Sequence, residues 1–325
     1  MDSVRTFFEK KTILITGGTG SFGHSFVKRL LVLSPTVKLL IYSRDEYKQY
    51  LMAQEYKVDV EKGRLKFIIG DVRNRERLMY ACRGVDYIVH AAALKQVPAC
   101  ENNIEEAILT NITGALNVRC VAELCRVKKV VALSTDKAVQ PVNLYGATKM
   151  VSDKVFTDMS NITDTTFCIV RYGNVASSRG SVIPLFLERY NSGLHDYPIT
   201  DMRMTRFWIG LNDAVNMAIN ALVTSDGGET FVAKLPSFYI TDLVKAIDPN
   251  GRTRVIGIRT GEKLDEMMIT KYDAEKTVDF GAYYVIYPTI EKALNSGKQI
   301  VPLDFEYSSG NNTRWLNIED IQKLL

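Results

Sequence analysis

The chain is 325 residues long, 46% hydrophobic and 24% charged, with a formal net charge of +4. This composition can fill the core of one large domain or two small ones, and it excludes the disordered and fibrous classes. So mild a charge argues against nucleic acid as the main partner, while leaving room for local basic pockets.

The five cysteines (82, 100, 120, 125 and 168) show no metal-ligand spacing, and there are only three histidines. Their odd number and apolar surroundings predict reduced core thiols in a cytoplasmic protein and no metal site. The N-terminal stretch lacks a secretory apolar core, and no run approaches membrane-spanning length. The expectation is a soluble chain with no membrane contact.

In chain order, Thr12–Thr16 reads as a buried strand and Ser21–Leu33 as a helix with Phe22, Phe26 and Leu30 on one face. Further strands are predicted at Val37–Tyr42, Lys66–Ile69, Tyr87–His90, Val130–Leu133 and Thr166–Arg171, with helices between them, including Glu105–Arg126 and Leu144–Met159. Continuous Val/Ile/Leu strands alternating with helices predict an α/β fold: a doubly wound, Rossmann-like parallel sheet covered on both faces. After about Asn174 the alternation weakens and prolines punctuate shorter elements, which predicts a smaller mixed α/β region.

Between the first strand and the first helix lies Thr16-Gly17-Gly18-Thr19-Gly20-Ser21-Phe22-Gly23. Glycines 17, 20 and 23 permit a tight turn, close approach to a pyrophosphate and close helix packing, with the helix N-terminus facing the charge. In this strand–loop–helix context the pattern predicts a dinucleotide site rather than a plain Gly-rich turn. The second strand ends in Ser43-Arg44-Asp45, with Lys48 one turn on. Ser and Arg at that position suit the 2′-phosphate of NADP, whereas Asp45 keeps NAD open. A solvated helix start is the plainer alternative. Asp71, after the third strand, can accept from an adenine amino group or cap a helix beginning near Asn74.

Tyr145 and Lys149 lie four apart at the start of a helix, hence on one face. A tyrosine hydroxyl beside an ammonium can take an alcohol proton while hydride leaves the adjacent carbon. Alone, the pair is also what an exposed helix face looks like.

With the glycine loop, Tyr145-x-x-x-Lys149 and Arg171-Tyr172-Gly173-Asn174-Val175, nearly the whole chain resembles the extended short-chain dehydrogenase/reductases, which include nucleotide-sugar epimerases and dehydratases. The sharper likeness is Leu133-Ser134-Thr135-Asp136-Lys137-Ala138. Retaining 4,6-dehydratases carry Asp-Glu after this threonine; Asp-Lys looks like the C5-inverting UDP-N-acetylglucosamine 4,6-dehydratases that open the route to pseudaminic acid and some capsule sugars. Ser43-Arg44-Asp45-Glu46, the run His90–Pro98 and Met204-Thr205-Arg206-Phe207-Trp208 point the same way. Tyr145 and the lack of membrane segments match the short soluble branch.

The resemblance implies roles. Tyr145 deprotonates the C4 hydroxyl as hydride passes to NADP, Lys137 as a neutral amine removes the C5 proton, and Asp136, kept protonated, donates to the departing C6 hydroxyl. Hydride returns to C6, and reprotonation from the other face inverts C5. Thr135 bonds the C4 oxygen and Lys149 orients the ribose and Tyr145. Gly17, Thr19, Gly20, Ser21, Phe22, Gly23, Ser43, Arg44, Asp45, Lys48, Asp71, Val72, Ala91, Ala93, Lys95 and Ser134 belong to the cofactor side. Lys95, Asn174, Arg203, Arg206, Arg259 and Glu262 belong to the UDP-sugar side, with only one of Arg203 and Arg206 expected on the diphosphate. Thr260 stands where the family has proline.

The division implied is an NADP-binding region over 1–175, with 206–232 returning to it, and a UDP-sugar region over 176–205 and 233–325. A homo-oligomer, dimer or hexamer, is expected. Two other readings stay open: a nucleotide-sugar 4-epimerase that leaves Asp136 and Lys137 idle, and a non-catalytic NADP-binding regulator.

Overall fold

Ile13 and Ile15 of the first strand pack into one apolar cluster, whereas Leu14 between them packs into another. That alternation follows from the period of two along a strand, and it places strand β1 (Thr12–Thr16) at the centre of a sheet buried on both faces. The computed structural model describes residues 2–160, 163–176 and 181–325. The strands that follow are β2 (Lys38–Ser43), β3 (Leu65–Ile69), β4 (Tyr87–His90), β5 (Lys129–Leu133), β6 (Thr166–Arg171), β7 (Asn174–Val175), β8 (Asp196–Ile199), β9 (Thr205–Ile209), β10 (Thr230–Ala233), β11 (Ser237–Tyr239), β12 (Arg252–Val255), β13 (Met267–Ile269), β14 (Thr277–Asp279), β15 (Tyr283–Ile286) and β16 (Tyr307–Ser308).

The main sheet runs β14-β15-β10-β6-β5-β4-β1-β2-β3. From β3 to β10 every pairing is parallel, and β15 and β14 add antiparallel strands. The reversal of strand order beside β1 opens a crevice at the carboxyl ends of the strands, where such sheets bind ligands. All six expected strands are present, with ends shifted by a residue at most. β14 and β15 come from within the 233–325 span, so this span also contributes to the main sheet.

Helices Ser21–Leu33, Glu46–Glu55 and Leu211–Thr224 supply Phe26, Leu30, Met52 and Leu222 to one face. Helices Arg75–Ala81, Gly114–Leu124 and Leu144–Thr157 supply Leu78, Val118 and Phe156 to the other. Fully burying one such side chain is worth about 1.5–3 kcal/mol. The expected single helix over Glu105–Arg126 is instead Ile104–Ile108, a wide turn over Leu109–Thr113, and Gly114–Leu124. The wide turn tips Asn111 inward, where its side chain accepts from Leu94 N (2.8 Å) and donates to Leu94 O (2.9 Å).

A third cluster, with Ile183, Phe186, Tyr197, Trp208, Phe238, Leu243 and Ile321, lies outside these two. It gathers β8, β9 and β11, helices Val182–Asn191 and Ile240–Ile247, and the C-terminal helix Ile318–Leu324. Among the described residues, no helix is long and apolar enough to cross a membrane.

Candidate active site

The carboxyl ends of β1 to β6 line one cleft of about 630 Å³. On the β1 side the glycine loop closes it. Gly17 adopts a left-handed φ of 66°, and a Cβ there would meet the backbone of Ala91 and Ala92 at 2.8–2.9 Å. A Cβ on Gly23 would collide with the backbone of Gly18. Only glycine fits either place. Helix Ser21–Leu33 starts after Gly20 with no side-chain cap on its first N–H groups. Uncapped donors at a helix N-terminus, behind a cradle that a Cβ would fill, fit the pyrophosphate of a dinucleotide.

At the end of β2, Ser43 is buried and its hydroxyl accepts from the Gln49 amide at 2.9 Å. Asp45 caps helix Glu46–Glu55 by accepting from Lys48 N at 2.9 Å, and it pairs with the Lys48 ammonium at 2.6 Å. These bonds hold its carboxyl below the ordinary range. Arg44 stays exposed, 3.8 Å from Asp71. Asp71 accepts from the backbone and guanidinium of Arg73 at 2.7–2.9 Å. Burial alone would raise its pKa; the Arg73 bonds outweigh it. Asp71 does not cap the next helix: Asn74 does, accepting from Arg77 N, because the cap lies one residue before Arg75. Val72, Ala91, Ala93 and Lys95 line the cleft beside them.

Tyr145 and Lys149 are brought against β5 by a close approach. Asn143 caps helix Leu144–Thr157 through Gly146 N (2.8 Å) and also grips Gly261 O (2.8 Å). Lys149 is buried and donates to Leu133 O at 2.8 Å. Burial pulls its pKa down, against the pull of Asp153. Ser134 donates to Asp153 at 2.6 Å, which turns its hydroxyl toward the protein. Tyr145 is buried, and burial pushes its hydroxyl up to about 12 despite Lys137 and Thr135.

Thr135 opens the turn Asp136–Ala138, and its hydroxyl donates to Asp136 Oδ1 at 2.9 Å. Asp136 is 1% exposed. Its Oδ2 has no hydrogen-bond partner among the described residues. Burial raises the Asp136 pKa, Lys137 opposes and Glu266 adds to the rise, the direction a proton donor requires. The Lys137 ammonium lies 3.2 Å from Asp136 Oδ1, 2.9 Å from Glu266 Oε1 and 3.5 Å from Asn174 Oδ1. Burial works to neutralise it, but Asp136 and Glu266 prevail and hold its pKa above the ordinary value. This corrects the expectation of a lysine made neutral by desolvation: two carboxylates stand beside it.

The cleft brings together nearly all the residues singled out in the sequence, including Asn174, Arg259 and Glu262. Arg259 and Glu262 pair at 2.9 Å on its rim. Arg203 and Arg206 are not in its lining. Arg203 is exposed and clamped on Asp201 (2.9 Å). Arg206 is buried, donating to Thr205 O and Leu264 O with Glu266 3.8 Å away; its charge serves the interior. Glu266 itself was missed. Its only sequence signal is a third acid in Glu262-Lys263-Leu264-Asp265-Glu266, and nothing local shows that it reaches Lys137. Among the described residues no group of side chains could hold a metal ion.

Residues 13–288 match the family model described as polysaccharide biosynthesis protein. The chain is 47% identical, over 98% of both sequences, to a UDP-N-acetylglucosamine 4,6-dehydratase (inverting) of Campylobacter jejuni subsp. jejuni serotype O:2. It is 42% identical, over 98% of this chain and 96% of the relative, to a UDP-glucose 4-epimerase of Rickettsia canadensis. Among solved structures, Pen from Bacillus thuringiensis superposes with a TM-score of 0.88 at 35% identity, covering 98% of each chain. The cleft therefore lies in a chain that belongs to the polysaccharide biosynthesis protein family, one similar along its length to nucleotide-sugar dehydratases and epimerases.

Proposed function

We propose that this protein dehydrates UDP-N-acetylglucosamine with inversion at C5, giving UDP-2-acetamido-2,6-dideoxy-β-L-arabino-hex-4-ulose. The observation that carries the reading is the Asp136–Lys137 pair, which faces the same cleft as Tyr145 and Lys149. A simple epimerase has no use for such a second acid–base pair. The 47% identical relative bears the same activity in its name.

A bound nicotinamide dinucleotide supplies the hydride acceptor for C4 and the hydride donor for C6. Tyr145 takes the C4 hydroxyl proton, with Lys137 and the Thr135 hydroxyl favouring the phenolate against burial. Lys137, once its own proton has gone to solvent, removes the C5 proton, and the electron pair enters the C4 ketone as an enolate. Asp136 then protonates the departing C6 oxygen through Oδ2, the atom left without a protein partner. A proton added to C5 from the opposite face completes inversion, with loss of one water.

NADP is the cofactor of choice because Asp45 is already committed to its helix cap and to Lys48, while Arg44 is exposed at the strand end. The UDP moiety lies toward Arg259 and Glu262, and the third apolar cluster supports a separate sugar-nucleotide region. All five cysteines are free, which suits a reducing cytoplasm. We also infer a homo-oligomer, on the family resemblance alone.

Incubation with UDP-N-acetylglucosamine in deuterated water, followed by NMR, tests the reaction. Loss of water, a 4-keto product, deuterium at C5 and inverted configuration are expected. Formation of UDP-N-acetylgalactosamine alone favours the epimerase reading, which the 42% identical Rickettsia relative keeps in view.

A further inference from the structure

Lys137, Glu266, Arg206 and Lys263 form a charged cluster behind the cleft, drawn from three separate places in the chain. Glu266 is 2% exposed. Its Oε1 lies 2.9 Å from Lys137 Nζ and 3.8 Å from Arg206 Nε, and its Oε2 lies 3.6 Å from Lys263 Nζ. The backbone is fixed as well: Glu266 N donates to Ser309 Oγ at 2.9 Å, and Ser309 N donates to Glu266 O at 2.8 Å. The neighbouring Asp265 is turned away onto Thr205. The groups facing Lys137 are thus Asp136 from its own turn, Glu266 ahead of β13, Asn174 of β7, Arg206 of β9 and Tyr145 from its helix.

We propose that Glu266 is the positioning residue for Lys137, holding its Nζ beside Asp136 at the cleft wall and stabilising the ammonium formed when Lys137 takes the C5 proton. The assignment rests on the reaction proposed above. The C5–H bond breaks, its proton goes to the Nζ lone pair and its electrons to the enolate. A permanent anion 2.9 Å behind the new ammonium makes that transfer more favourable. Glu266 meets the requirement, since Lys137, Arg206 and Lys263 overcome the effect of burial and bring its pKa down to about 2. It cannot compete for the proton. Asp136 is the opposite kind of neighbour, an acid whose pKa burial raises. One carboxyl in contact with Lys137 gives up a proton to the leaving group, and the other never carries one.

Glu266→Gln keeps the shape and removes the charge. Two readouts separate this inference from the reaction assignment. The first needs no substrate: in lysine side-chain NMR with 13Cε labelling, the resonance absent from Lys137→Met is followed with pH. In the native protein it titrates above an ordinary lysine; in Glu266→Gln its midpoint falls by at least about one pH unit, which corresponds to a tenfold change in proton affinity. Glu266→Asp, which keeps the charge, recovers most of the shift. The second is turnover of UDP-N-acetylglucosamine: the kcat plateau reached above the acid limb falls tenfold or more as Nζ loses its position, the limb itself moves to lower pH, and KM changes less than threefold. A double variant, Glu266→Gln with Lys263→Met, removes one anion and one cation together and guards against simple misfolding. If Glu266 only balances Lys263, the double variant regains native titration and kcat, and the proposal is overturned. An unmoved Lys137 midpoint in folded Glu266→Gln overturns it equally. If the NMR shift appears and no UDP-sugar turns over even in the native protein, the reaction assignment fails and the lysine–glutamate coupling stands.

Discussion

Gly146 and Lys137 touch: the carbonyl oxygen of Lys137 occupies the space a Cβ on Gly146 would need. This contact lets the helix that carries Tyr145 lie against the turn that carries Asp136 and Lys137. In the proposed reaction, two acid–base groups from different elements then serve one sugar ring.

Gly146→Ala should therefore act on stability and chemistry together. Overpacking against backbone costs about 1–3 kcal/mol, measured by denaturant unfolding. A shift of the helix start by a fraction of an ångström carries Tyr145 with it, so kcat should fall even where the variant is fully folded. A variant that loses stability but keeps native kcat would show that the contact does not set the distance between the two groups.

Lys137→Ala should bind the dinucleotide with native affinity, since the proposed reaction assigns Lys137 to the sugar rather than to the cofactor. Its elimination rate should fall by about 10²- to 10⁴-fold, the usual worth of a general base. Solvent deuterium should no longer enter C5. Unchanged turnover would remove Lys137 from the mechanism.

Arg44→Ala tests cofactor choice. A hydrogen bond to a charged partner is worth about 1.5–3 kcal/mol, so NADP should bind roughly ten- to 150-fold more weakly while NAD binding stays level. Fluorescence titration of both reduced dinucleotides reads the ratio. Equal losses for the two would count against 2′-phosphate recognition at Arg44.

His90 predicts a pH dependence of folding. It is 2% exposed, bonded to Thr16 Oγ1 at 2.7 Å, and burial, with Lys149 adding to it, brings its pKa to about 3. The unfolded chain takes up this proton near pH 6.5 and the native protein does not. His90 therefore costs no stability above that pH, and stability falls as pH drops from about 6.5 toward 3. Between pH 7.5 and 5.5 the loss should be about 1 kcal/mol, readable in urea midpoints. His90→Gln should flatten that part of the curve; an unchanged slope would place the effect elsewhere.

Legibility in the sequence followed range. Strands β1 to β6 and the glycine loop were readable because hydrophobic period and glycine spacing are local properties. Tyr145 and Lys149 were readable as one face of a helix, and Asp136–Lys137 as neighbours. The role of Arg206 was not, because a cation's partner decides what it does: clamped on two carbonyls and facing Glu266, it is an interior charge. Glu266 was hidden for the same reason, since its approach to Lys137 depends on how β13 meets the turn after β5. Asp71 lost the helix cap to Asn74 by a choice of start that periodicity does not resolve. The wide turn after Ile108 leaves no periodic signal; at its end Gly114 lies against Val72, where a Cβ would come within 2.8 Å.

Asn143 holds the first turn of the tyrosine helix with its carbonyl oxygen and the loop of Arg259 and Glu262 with its amide. A single side chain thus joins the helix of Tyr145 to the loop proposed to hold the nucleotide. In the proposed reaction, grip on the uridine half is felt at the tyrosine. Binding energy from the part of the molecule that does not react is then converted into alignment of the part that does. A sugar 1-phosphate stripped of its nucleoside should consequently be not merely a weakly held substrate but a slow one, even at saturation.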